Sequence, residues 1–74
     1  MSRLVRLDSS GHSTLAEWTA DDPAAVERAV REFRRELEAG YIAVVDEGAG
    51  RATQVTELPA DAELVLMRRP IAGG

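Results

Sequence analysis

The sequence predicts one α+β domain, a mixed β-sheet with a single helix packed across it. Three observations carry this. The periodic segments run strand, strand, helix, strand, strand, strand. One segment only repeats its apolar residues at helical spacing. The last strand is apolar on both faces, which suits the centre of a sheet rather than its edge. With 74 residues there is room for one core and no more. The 45% hydrophobic and 30% charged residues make that core attainable and exclude a disordered chain.

Taken in order, residues 3–7 read as a short strand, closed by the turn formers Asp8-Ser9-Ser10-Gly11. Residues 13–18 are the return strand of a β-hairpin with a four- or five-residue loop. Its inward face is ambiguous, because Leu15 points one way and Ala16 and Trp18 the other. Trp18 is large enough to demand partial burial, in the core or in an interface.

Asp22 precedes Pro23 and is therefore driven out of the α region, as an N-cap requires. Pro23 fits the first helical position, where its missing N–H costs nothing. Val26, Ala29, Val30, Phe33 and Leu37 form the apolar stripe of a helix that Gly40 ends. Its other face pairs Glu27 with Arg31, Arg28 with Glu32 and Arg34 with Glu38, each four apart, which reads as a solvated surface.

Residues 41–45 form a continuous apolar strand, and the turn Glu47-Gly48-Ala49-Gly50 leads into a return strand at 51–55. Leu58-Pro59-Ala60-Asp61 is a tight corner. The last strand covers 63–69 and must stop at Pro70, which has no N–H to give a ladder. Placing the first and last strands side by side in the centre yields a ββαβββ, β-grasp arrangement over residues 1–70, followed by a flexible tail at 71–74.

Charge and composition exclude several function classes. Nine basic against thirteen acidic residues leave a net charge of −4, contrary to the basic footprint of a nucleic-acid binder. All nine basic residues are arginine, so no side-chain amine is present to accept an acyl group. The chain has no cysteine and one histidine, too few for a disulfide framework or a metal centre. His12 and the nearby Ser9, Ser10 and Ser13 lie in a turn with no third group to orient a base. Gly48-x-Gly50 lacks both the helix of a dinucleotide loop and the lysine of a phosphate loop. The longest uncharged apolar stretch, 41–45, is too short to cross a bilayer, and no basic-then-apolar leader opens the chain. The expectation is a cytoplasmic protein that is not an enzyme and holds no cofactor or metal of its own.

The C-terminal segment carries the functional signal. Two glycines permit close approach of the backbone to another protein and leave the carboxylate of Gly74 unshielded. Residues 61–74, DAELVLMRRPIAGG, resemble the ending of ubiquitin-like carrier proteins. Leu64-Val65-Leu66, an arginine and a terminal Gly-Gly are similar to ubiquitin itself. Pro70-Ile71-Ala72-Gly73-Gly74 is similar to the small, sulfur-carrying subunit of molybdopterin synthase. The likeness is strongest over 41–74. The first half matches by element order alone, and the helix enters Tyr41 with less loop than either family has.

The resemblance implies an acyl carrier. A partner activating enzyme would use ATP to adenylate the Gly74 carboxylate, with Gly73 and Gly74 as the conjugating residues. Conjugation to target proteins is the first reading, as for bacterial ubiquitin-like proteins encoded beside activating, conjugating and deconjugating enzymes. Sulfur transfer through a thiocarboxylate is the second, and a β-grasp interaction subunit of a larger assembly is the third. Arg68 and Arg69 become contacts for an acidic groove, with a solvated strand end as the alternative. Val65, Met67 and Val44 become an apolar partner patch on the sheet face away from the helix. Neither nucleic acid nor membrane is an expected partner.

Overall fold

The structure, a computed structural model, describes residues 1–70. It contains β1 (Ser2–Asp8), β2 (Gly11–Trp18), α1 (Pro23–Glu38), β3 (Ile42–Gly48), β4 (Arg51–Val55) and β5 (Leu64–Arg68). The strands form one mixed sheet in the order β2-β1-β5-β3-β4. β1 and β5 are parallel neighbours, and the other three pairings are antiparallel. The tail at 71–74 lies outside the described residues.

The first hairpin is tighter than expected, because Asp8 pairs directly with Gly11 and only Ser9 and Ser10 form the loop. The Asp8 carboxylate accepts hydrogen bonds from the Ser10 hydroxyl and, at 2.9 Å, from the Ser10 backbone N–H. This local capping replaces two residues of loop. Those bonds, with a smaller contribution from the Arg6 charge, hold the Asp8 carboxyl below its ordinary value.

Across from Leu4 and Val5, the β2 partners step from Ala16 to Thr14, leaving Leu15 as a bulge. The bulge resolves the ambiguous face, since Leu15 and Ala16 both pack against the core. Trp18 belongs to the core at 2% exposure, and its indole N–H donates to the Ala60 carbonyl at 3.0 Å. That bond ties the Leu58-Pro59-Ala60-Asp61 corner to the hairpin and satisfies the ring's one polar atom.

Asp22 caps α1 as its sequence position demands, accepting from the Ala25 N–H at 3.2 Å. The buried stripe is rotated from the expected one. Ala25, Ala29, Phe33 and Glu36 are buried, while Val26, Val30 and Leu37 are half-buried flanks. Of the expected ion pairs, Glu27–Arg31 forms at 3.3 Å. Glu32 instead pairs with Arg35, at 3.6 Å, which leaves Arg28 without an ion pair among the described residues.

Leu4, Trp18, Phe33, Val65 and Met67 fill the space between helix and sheet. This corrects the expectation for β5. Val65 and Met67 are wholly buried beneath α1 rather than displayed on the far face. Leu64 and Leu66, the alternate residues of the strand, face the other way.

Candidate functional site

The helix covers one face of the sheet, and the opposite face is built from the alternate residues of the same strands. Register makes it contiguous. Val5 of β1 pairs with Leu66 of β5, which pairs in turn with Val44 of β3, so the three side chains form a row across the sheet. One step nearer the end of β5, Ile42 pairs with Arg68, and Leu7 continues β1 alongside. Leu7, Val44 and Leu66 with Ala52 line a shallow depression of about 300 Å³, rimmed by Arg51, Arg68 and Asp46. Among the described residues, Leu7 and Met1 are the large apolar residues more than a third exposed. An apolar floor with arginines at its edge matches the chemistry of a partner surface carrying apolar and acidic groups.

Of the residues expected here, Val44 lies on this face and Arg68 on its rim. Val65 and Met67 do not, and Leu66 and Leu7 take their place. Parity along β5 explains why the sequence placed the wrong pair, Val65 and Met67, on this face. Arg68 shares a face with Leu66, and Arg69 shares one with Met67, so charge at the strand end favours neither assignment.

Arg69 occupies a second cluster on the helix side. The end of α1 creates it. Gly40, at φ 100°, takes the left-handed conformation, its N–H bonds the Leu37 carbonyl, and the Tyr41 N–H bonds the Glu36 carbonyl, both at 3.0 Å. These two bonds define a Schellman motif, which brings Tyr41 back beside Glu36. The Arg69 guanidinium lies 5.1 Å from the centre of the Tyr41 ring, and that of Arg6 lies 5.9 Å from it. Both distances fall within cation–π range.

Glu36 is 5% exposed, and its Oε2 lies 3.5 Å from Arg6 Nη1. Arg6 Nε lies 3.6 Å from Asp8 Oδ2, too far for a hydrogen bond. The Glu36 Oε1 and the Arg6 Nε are therefore buried without hydrogen-bond partners. This cluster was not found from the sequence, where Glu36 belongs neither to the apolar stripe nor to the four-apart charge pairs. The available signal was Gly40-Tyr41, whose C-capping geometry sets a side chain at position 41 against the one at 36.

His12 is exposed on the first hairpin, opposite Leu7. Among the described residues no three His, Cys, Asp or Glu side chains converge as metal ligands would. No described helix is long and apolar enough to cross a membrane. Gly73 and Gly74 lie outside the described residues. Comparison with protein-family models, with curated proteins and with solved structures finds no match to this chain.

Proposed function

We propose that this chain is a ubiquitin-like β-grasp protein whose Gly74 carboxylate is activated by an ATP-dependent partner and transferred to target proteins. The observation that carries the reading is the position of β5. It is the central strand, bonded to β1 on one side and β3 on the other, and it leads through Arg69 and Pro70 into the Gly-Gly sequence. A firmly held strand is a sound base for an acyl group that another protein must grasp. The depression formed by Leu7, Val44 and Leu66 ends at Arg68, so a partner docked there lies beside the start of the tail.

The chemistry belongs to the partner. The Gly74 carboxylate attacks the α-phosphorus of ATP, pyrophosphate leaves, and a mixed anhydride with AMP results. A partner thiolate then displaces AMP to give a thioester. A target amine attacks that carbonyl, loses a proton and releases the thiol. Glycine at 73 and 74 removes the β-carbons that would hinder each attack. A second reading, sulfur delivery, is favoured by the Pro70-Ile71-Ala72-Gly73-Gly74 ending. A sulfide donor would then displace AMP and leave a thiocarboxylate on Gly74. The third reading, an interaction subunit, uses the open sheet face and leaves the glycines idle.

Intact mass of the protein recovered from its own host, beside a variant lacking Gly74, separates the three. Adducts joined through Gly74 to other proteins establish a modifier, and exchange of one oxygen for sulfur establishes a sulfur carrier. An unaltered carboxylate, with the truncated form still binding the same partners, defeats the carrier readings.

A further inference from the structure

Arg68, which ends β5, and Arg69, the residue after it, lie on opposite faces of the sheet, and their surroundings differ. Arg68 borders the apolar depression and has no ion-pair partner among the described residues. Arg69 is engaged within the molecule, stacked at 5.1 Å on Tyr41, whose ring also has Arg6 within 5.9 Å. Tyr41 is fixed from three directions. The Schellman hydrogen bond holds its backbone, β3 begins at the next residue, and Arg6 is drawn toward Glu36 beneath. Arg69 is thus the last residue before Pro70 whose side chain is held by the folded domain.

We propose that Tyr41 is a positioning residue. Through its stack with Arg69 it sets the direction in which the chain leaves β5, while Arg68 alone is left to meet a partner. The inference rests on the carrier reading and deepens it, dividing between two roles a pair of arginines that look alike in sequence. An activating enzyme must bring a carboxylate and the α-phosphorus of ATP into line, and a small misplacement of the reacting group weighs heavily on that step. Binding through the sheet face is indifferent to the direction of the tail. The two arginines therefore act on different kinetic parameters.

The test uses Tyr41→Ala, Tyr41→Phe, Arg69→Ala and Arg68→Ala in the full chain. ATP–pyrophosphate exchange is measured with radiolabelled pyrophosphate, in cytosol of the source organism depleted of its own copy. Tyr41→Ala and Arg69→Ala are expected to lower kcat roughly tenfold with KM little changed, as expected when orientation is lost. Arg68→Ala is expected to raise KM severalfold at nearly constant kcat. Tyr41→Phe is expected to behave as the parent, since the phenol makes no hydrogen bond among the described residues and a phenyl ring keeps the stack.

An NMR measurement reads the stack without the reaction. The Arg69 Nε–Hε signal is expected to be displaced by the ring in the parent and in Tyr41→Phe, and to return to its free position in Tyr41→Ala. If that signal returns in Tyr41→Ala while exchange is unaffected, the positioning role is overturned and the carrier reading stands. If the parent supports no exchange although the Arg69 signal is displaced, the carrier reading falls and the stack is only a structural contact. An undisplaced Arg69 signal in the parent refutes the stack itself.

Discussion

Glu36 is the residue at which sequence and fold part most sharply. The helical repeat assigns the inward position to Leu37, yet Glu36 is buried and Leu37 is a flank. The rotation follows from what α1 packs against. Phe33 and Ala29 centre the seam, and one turn beyond Phe33 the seam reaches position 36. A carboxylate is stable there because Arg6 approaches from β1. Removing the arginine alone leaves a buried charge uncompensated, so Arg6→Met is expected to cost about 2 kcal/mol, less than for a fully buried pair because Arg6 is partly exposed. Arg6→Met combined with Glu36→Leu should regain most of the loss, because apolar groups of similar size replace both ions. Urea denaturation of the two single variants and the double variant measures this. Equal stability of Arg6→Met and the parent would show that the pair contributes nothing.

At the level of elements, the helix and both hairpins were legible because their punctuation is chemical. Asp22-Pro23, Gly40 and Asp8-Ser9-Ser10-Gly11 each admit few backbone solutions. The faces of β5 were not legible, because a strand apolar on both sides contains no alternation to read. The bulge at Leu15 was hidden for a related reason. It breaks the two-residue period from which a face is inferred, and nothing in Thr14-Leu15-Ala16 announces it. The corrected faces make a contrast that can be measured. Met67→Ala empties a site beneath α1 and is expected to cost about 2–5 kcal/mol, enough to threaten a domain of this size. Leu7→Ser, on the open face, should change stability by less than about 0.5 kcal/mol while weakening any partner that docks there. Thermal unfolding monitored by circular dichroism compares them, and equal losses would mean that the face assignment is wrong.

Across the whole molecule, the sheet is arranged so that its two most distant strands in sequence are neighbours in its middle. β5 has hydrogen-bonded partners on both sides, whereas β2 and β4 are edges with one each. Ladder bonds in the middle open only when much of the fold opens, and edge bonds open locally. Native-state hydrogen exchange should therefore find the slowest amides in β5 and in the residues of β1 and β3 that pair with it, with β4 exchanging faster by a factor of ten or more, roughly 1.4 kcal/mol of opening free energy. Uniform protection over all five strands would argue against this order. The central neighbours were legible, since an apolar last strand needs two partners and the first strand was free to be one. The candidate site was legible only in part. Arg68 and Val44 are on the page of the sequence, but Leu7, Leu66 and the Tyr41 cluster depend on register, which composition does not specify.

The parallel pairing of β1 with β5 has a mechanical consequence. Arg3 pairs with Leu64 at one end of the ladder and Arg6 with Met67 at the other, so β1 begins at the end of the sheet opposite the one where β5 stops. A pull applied between Ser2 and Arg68 acts along both strands in opposite directions. It loads the whole ladder in shear rather than peeling bonds one at a time. A machine that grips the chain beyond Pro70 and drags against a tether at the first strand would meet the domain along its strongest axis. The same machine pulling between β3 and β4 would meet an antiparallel hairpin that unzips from its ends.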